Sequence, residues 1–271
     1  MGDYASVIGG GTVVGLDDIP RSSDAYYHLE TSGITLNISN HSGSNIVDAR
    51  FAEGGVQVIL GKGEDTVWGS EGNDFVLGGK SGDSINGGGG NDYVDGQNGD
   101  DWITGDAGQD MLLGGNGDDT LDGGKGSDIL IGGNGADLLL GRDGNDILIG
   151  GNGGDMLYGG DGNDMLFAGN GGDTLVGGSG DDVMLGGNGS DIYRFESGFG
   201  NDLIGGFGRG DQLMISADIN GSGIYKAADL AKYVSGNSHF TQITIGDDTI
   251  RLEGVSAGDF LGHLSNFVKI V

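Results

Sequence analysis

An aspartate returns every nine residues through half of this 271-residue chain. The series runs Asp65, Asp74, Asp83, Asp92, Asp101, Asp110, Asp119, Asp128, Asp137, Asp146, Asp155, Asp164, Asp173, Asp182 and Asp191, with no register skipped. Glycine stands two residues before almost every one, including Gly63, Gly72, Gly90, Gly99, Gly108, Gly117, Gly126, Gly135, Gly144, Gly153, Gly162 and Gly171. Ser81 is the exception. A second glycine series stands five residues before the aspartates, at Gly78, Gly87, Gly96, Gly105, Gly114, Gly123, Gly132, Gly141, Gly150, Gly159, Gly177 and Gly186. Glycine allows positive φ angles, so these tight loops can turn their carbonyl oxygens inward. The aspartate adds a hard anionic oxygen. Calcium takes six to eight oxygens at ~2.3–2.6 Å and tolerates irregular geometry, which such loops can supply.

These loops need elements to hold them. Two residues after each aspartate stands an apolar or aromatic residue, from Val67 and Val76 through Leu112 and Leu148 to Met184 and Tyr193. The block is therefore G-G-x-G-x-D-x-U-x, as in GGNGDDTLD from Gly114 to Asp122. Its x-U-x end predicts a short strand with U pointing inward. Upstream, Ile34, Leu36 and Ile38 alternate with polar residues, as do Val56, Val58 and Leu60, and these also predict strands. The period breaks after Tyr193, and the next Asn-Asp pair ends at Asp202, eleven residues beyond Asp191. Residues 195–271 predict a closing unit. Lys226 to Val234 has helical spacing, and 242–245 with 249–252 predict a hairpin around Gly246–Asp247–Asp248. Ser256 with Asp259 starts a terminal amphipathic helix carrying Phe260, Leu261, Leu264, Phe267 and Val268. The expected boundaries are an N-terminal β cap over 1–60, the repeats over 61–194 and a small α+β cap over 195–271. Caps are expected because an open terminal strand invites aggregation.

Composition excludes several classes. Twelve Lys+Arg against 41 Asp+Glu leave a formal charge of −29, which repels nucleic acid and anionic lipid. Sixty-four glycines are roughly three times the usual share of about 7%, yet a single proline rules out collagen. No cysteine is present, so neither disulfides nor thiolate metal sites are available. The N-terminal stretch MGDYASVIGGG lacks the basic and apolar regions of a signal peptide.

The nonapeptide resembles the calcium-binding repeat of the RTX, or haemolysin-type, family. That resemblance implies an all-β chain whose core is a parallel β-roll, a calcium-loaded two-sided solenoid with two repeats per turn. It implies ions between each loop and the loop one turn later. Carbonyls at positions 2 and 4 with the Asp of one loop, and carbonyls at 1 and 3 with the Asp eighteen residues on, would be the ligands. Fifteen loops would then hold at most about 13 calcium ions, nearly neutralising the −29 charge. Departures mark weaker sites: Leu60 and Ala168 replace the first glycine, Gln97, Asp106 and Arg142 the second, and Ser81 the third. Low occupancy is expected around Ser81.

Catalysis is not expected. His28, His41, His239 and His263 are scattered, no G-x-S-x-G elbow exists, and the register assigns the carboxylates to calcium. The catalytic domains of RTX enzymes are large, and sixty leading residues do not hold one. An ice-binding array fails because position 3 of the repeat is never threonine. Two readings remain: a secreted, non-catalytic structural or interaction module of matrix, surface or adhesion type, and a membrane-active secreted protein of pore-forming, bacteriocin-like or nodulation type. A free-standing module related to those of secreted enzymes is a further alternative. The acidic charge favours the first reading over membrane contact. The resemblance also implies type I secretion through an uncleaved C-terminal signal. Residues 259–271 have that amphipathic, aliphatic-ended character, although Lys269 departs from it. Positions 7 and 9 of one sheet form an unusually apolar outer face with Phe75, Met111, Ile129, Ile131, Ile147, Ile149, Met165 and Phe167. That face is expected to be covered by the chain's own ends, or to serve self-association or a protein partner.

Overall fold

A computed structural model describes residues 3–7, 13–14 and 24–271. The remaining residues of the N-terminal stretch MGDYASVIGGG and of the expected cap lie outside the described residues. The chain divides into two units, 1–139 and 140–271. Each is a parallel β-solenoid, as the nonapeptide predicts.

In the first unit, one sheet stacks Asp3–Val7, Ala25–Leu29, Ile46–Asp48, Thr66–Trp68, Ser84–Gly89, Trp102–Ala107 and Thr120–Lys125 in chain order, all parallel. The other stacks Val13–Val14, Thr35–Asn37, Gln57–Ile59, Phe75–Leu77, Tyr93–Asn98, Met111–Asn116 and Ile129–Asn134. Successive strands alternate between sheets, so like positions stack: Val94 on Leu112, and Leu112 on Leu130. The strands before the repeats join these same ladders. Leu36 and Val58 are fully buried there, in line with their sequence alternation.

Strand alternation fixes the core. The U residues, from Val67 through Leu112 and Leu130 to Tyr193, are no more than 1% exposed. Their neighbours at positions 7 and 9 point out. Within residues 1–139, Phe75 and Met111 are 37% and 36% exposed, and Ile129 and Ile131 are half-buried. Phe75 stacks on Tyr93 with centroids 5.1 Å apart. Within residues 140–271, Met165 is 40% exposed, and Ile147, Ile149 and Phe167 are half-buried. Stacking along the ladder, with Met111 beside Ile129 and Ile147 beside Met165, contributes to this partial burial.

The second unit stacks Met156–Asp161, Thr174–Ser179, Ile192–Phe195, Gln212–Ile215 and Val268–Ile270 in one sheet. The other runs Ile147–Asn152, Met165–Gly171, Val183–Gly189, Asn201–Gly205 and Asp248–Glu253, then turns antiparallel through Phe240–Ile245 and Val234–Gly236. The hairpin is tighter than its sequence suggests: Ile245 pairs with Asp248, leaving a two-residue turn with Gly246 at φ 70°. Residues Ala227–Tyr233 form a 3-10 helix. Ser256 caps Ala257–Gly262 by accepting from the Asp259 N–H. The expected single terminal helix is interrupted. Gly262 is a poor helix former, and His263 leaves helical geometry at φ −123° before the short helix Leu264–Phe267. Val268 then enters a strand beside Leu213, so the chain end closes the sheet. No helix among the described residues is long and apolar enough to cross a membrane.

Candidate metal centre

Each aspartate closes a loop just before a strand, and its carboxylate is shared between turns. The Asp83 N–H donates to Asp101 Oδ1 at 2.7 Å, and the Asp101 N–H to Asp119 Oδ1 at 2.8 Å. Asp65 joins this column at its upper end and Asp137 at its lower end. The second column of this unit links Asp74, Asp92, Asp110 and Asp128 in the same way. Within residues 140–271 the columns are Asp146, Asp164 and Asp182, and Asp155, Asp173 and Asp191. All fifteen carboxylates are at most 3% exposed.

Only one oxygen of each pair is used this way. Oδ2 is buried with no hydrogen-bond partner in Asp65, Asp83, Asp92, Asp101, Asp110 and Asp119, and likewise in Asp164, Asp173 and Asp182. A buried carboxylate oxygen without a donor costs several kcal/mol by order of magnitude, so it demands a cation or a proton. The surroundings fit a cation. A Cβ on Gly105 would collide with Asp110 Oδ2 and lie 2.7 Å from the Gly123 carbonyl oxygen one turn on. A Cβ on Gly96 would likewise meet Asp101 Oδ2 and the Gly114 carbonyl at 2.9 Å. Gly150 repeats the arrangement with Asp155 Oδ2 at 2.5 Å and the Ala168 carbonyl at 2.7 Å. The bare Cα of position 1 thus leaves a cradle walled by a carboxylate and a carbonyl. Position 4 serves the backbone instead. Gly117 sits at φ 135°, where an added Cβ would strike the Gly99 carbonyl.

Among the described residues no three carboxylate or imidazole groups converge on one point. The donor set is therefore backbone carbonyls with a carboxylate, hard oxygens suited to calcium. The electrostatics agree. Burial, reinforced by the like charges of Asp65 and Asp101, pushes the Asp83 carboxyl up to about 8. Burial pushes Asp92 and Asp164 to about 7, each with carboxylate neighbours in its own column. Asp101, Asp110, Asp119 and Asp182 rise to about 6, with burial the main cause.

The structure adds residues that the repeat period did not reveal. The Asp182 N–H donates to Asp202 Oδ1 and the Asp191 N–H to Asp211 Oδ1, both at 3.0 Å, so the columns continue past the break. Each step spans twenty residues instead of eighteen. The signal was the motif itself, Gly-Asn-Asp at 200–202 and Gly-Arg-Gly-Asp at 208–211, displaced by two residues. At the other end Asn45 stands in the column, its side chain donating to Asp65 Oδ1 at 2.8 Å and to the Gly43 carbonyl at 2.7 Å.

Ser70 was also missed, although it stands at a second-glycine position. Its N–H donates to Asp74 Oδ2 at 2.6 Å and its hydroxyl to Oδ1 at 2.9 Å. With the Val56 N–H also on Oδ1, both oxygens of Asp74 have protein donors. At Ser81, where low occupancy is expected, the hydroxyl donates to the Lys62 carbonyl and Asp83 Oδ2 keeps no partner.

Fold and loops together define a calcium-binding β-roll. The family model of the RTX calcium-binding nonapeptide repeat (4 copies) matches in overlapping segments from 58–85 to 167–204, more than half of the chain. The chain belongs to this family. No curated protein matches it. Among solved structures it is similar to the extracellular lipase LipA from Serratia marcescens, with 20% identity over 85% of this chain and a TM-score of 0.32. The chain spans 45% of that lipase.

Two outcomes follow from the carboxylates. Folding raises their pKa above the ~3.9 of an unfolded Asp, so the metal-free folded state holds more protons than the unfolded state. Its stability is greatest below about pH 4 and falls as pH rises through 6 to 8, the range of the raised values. Calcium replaces those protons, so its affinity rises over the same window. Calcium-stripped chain should gain β-type circular dichroism on acidification from pH 8 to pH 4, and a flat signal would contradict the assignment. Ser70→Gly removes the hydroxyl donor from Asp74, and a glycine there can take the positive φ of Gly79 and Gly88, which Ser70 does not adopt, so the loop can turn its N–H off Oδ2. The substitution should increase bound calcium by about one ion per chain in metal analysis after equilibrium dialysis. Unchanged content would mean that Ser70 does not close this site.

Proposed function

We propose that this chain is a secreted calcium-binding module. It folds on meeting calcium outside the cell and acts without catalysis, as a structural or interaction element of matrix, surface or adhesion type. The observation that carries this reading is the set of buried Asp oxygens with no protein donor. An ionised column of that kind opposes folding until cations enter, so metal binding becomes folding free energy. Low calcium inside a cell would leave the chain unfolded for export, and higher calcium outside would fold it.

Export by type I secretion machinery fits the chain end, where Phe260 is fully buried and Leu264 and Val268 nearly so once folded. An unfolded chain would present these apolar side chains to a transporter. The same carboxylates support a reading of at most about 13 calcium ions, with Asp74 the first candidate to lack one. The absence of catalysis is inferred from the scattered histidines and from carboxylates committed to the columns.

The apolar outer face is the proposed partner surface, for a second copy or another protein. Phe75 and Met111 in one unit and Met165 in the other stay more than a third exposed, which supports contact with something outside the chain.

In chelator the chain should lose most of its β-type circular dichroism and regain it in millimolar calcium, and export should fail without residues 215–271. A signal indifferent to chelation at neutral pH would remove the folding switch from this reading, and intact export would move the signal elsewhere. Replacing Ile129, Ile131, Ile147 and Ile149 with Thr keeps strand propensity. That variant should fold with calcium yet scatter light as a smaller species than the parent. Equal scattering would show the face to be merely exposed.

A further inference from the structure

One groove borders the Asp74 loop, with Ser70 in its wall, while its charged and amide side chains belong to no aspartate column. Within residues 1–139 an open cavity of about 350 Å³ is lined by the side chains of Arg50, Glu71, Asn86 and Asp106 over bare glycine backbone. Arg50 is held in place: Nε and Nη2 donate to the two Asp48 oxygens at 2.9 Å each, and the guanidinium lies 4.6 Å from the Trp68 ring centre. A guanidinium has five N–H donors, so several remain for a ligand. Asn86 is oriented too, its Nδ2 donating to Thr104 Oγ1 at 2.9 Å and to Asp106 Oδ2 at 2.6 Å. Its carbonyl oxygen is left as an acceptor.

Asp106 is unusual. It occupies a second-glycine position at φ 71°, in the left-handed region that disfavours a side chain. A glycine there would give the loop the same carbonyl, so the carboxylate is surplus to the calcium chemistry. The two tryptophans of the chain stand on this sheet face: Trp68 pairs with Asn86, and Trp102 pairs with Ser84. Trp102 is 58% exposed.

Planar groups with paired donors or acceptors match vicinal hydroxyls, and an exposed indole offers a flat apolar surface with a polar edge. A pyranose presents both counterparts, hydroxyl pairs around its rim and an apolar face of C–H groups. Charge selects among sugars. The positive charge of Arg50 is spent on Asp48, while Glu71 and Asp106 add two carboxylates to the groove, which repel uronates and sulfated sugars.

We infer that this groove binds a neutral saccharide, with Arg50, Glu71, Asn86 and Asp106 taking its hydroxyls and Trp102 its apolar face. The site goes beyond the calcium-module reading and gives that module a glycan to hold.

Because Trp68 lies against Arg50 and Trp102 stands on the same sheet face, two residues along the strand from Thr104, intrinsic fluorescence reports on the groove. The calcium-loaded full chain would be titrated with cellohexaose, xylohexaose, mannohexaose and maltohexaose, and with a galacturonate oligomer as the charged comparison. A saturable emission change is expected with a neutral hexasaccharide and not with the galacturonate. Asp106→Gly restores the repeat glycine and should weaken that binding by about tenfold or more, a loss of ~1.4 kcal/mol. Calcium content of the variant should be no lower than the parent's and its circular dichroism the same, which separates failure of the groove from failure of the calcium module. No saturable change with any neutral glycan, equal binding of the galacturonate, or an Asp106→Gly titration like the parent's would each overturn the inference.

Discussion

The structure depends on a carboxylate that is half satisfied. One oxygen of each column aspartate accepts the backbone N–H of the aspartate one turn earlier, and that bond sets the spacing of the turns. The other oxygen is buried with nothing to accept from in Asp83, Asp101 and Asp119. A carboxylate whose two oxygens were both bonded to the chain would tie the turns together and need no ion. One exposed to water would need no ion either. Burial with a single bonded oxygen makes the cation part of the fold.

The glycines follow from that constraint. Position 1 is bare in most repeats because a Cβ would stand where the carboxylate oxygen and the next turn's carbonyl meet, as at Gly96 and Gly105; Leu60 and Ala168 depart from that rule. Position 4 must be bare because the loop reverses there with positive φ, as at Gly117. Position 2 is freer. Gln97, Asp106 and Arg142 all occupy it with φ between 71° and 82°, and their loops still deliver the following aspartate to its column. Chemistry beyond calcium can therefore be added at position 2, and Asp106 is where it meets aromatic and amide neighbours.

Much of this was legible because the nonapeptide is a local rule repeated. One glycine pair, one aspartate and one apolar residue specify a loop and a strand, and Leu112, Leu130 and Leu148 are buried for the same reason. Legibility ended where the rule depends on turn length rather than residue type. Asp202 and Asp211 accept the same backbone bonds as their predecessors, but a single two-residue insertion between Asp191 and Asp202 puts both out of the nine-residue count. The early strands Ala25–Leu29 and Ile46–Asp48 carry no calcium motif, so only pairing reveals that they belong to the same stack. The terminal helix was overextended because Phe260, Leu264 and Val268 share helical spacing, while Val268 gains more by pairing beside Leu213.

The ends of the columns show how a solenoid built on cations can stop needing them. At Asp74, the first aspartate of its column, Ser70 and Val56 supply three donors and leave neither oxygen bare. At Asp211, beyond the last repeat, the Gly208 N–H takes Oδ2 at 2.8 Å while the Asp191 N–H takes Oδ1. A terminal loop has a loop of the calcium motif on one side only, so it offers an ion fewer of the inward-turned carbonyls than a loop between two others. Calcium wants six or more oxygens, and a half-walled cradle is a poor site. Replacing the ion by N–H and O–H donors at such a loop removes a weak site without leaving a buried charge unpaired. Interior loops keep the cradle instead, with a carbonyl of the turn beyond facing the bare position 1, as the Gly114 carbonyl does at Gly96 and the Gly123 carbonyl at Gly105.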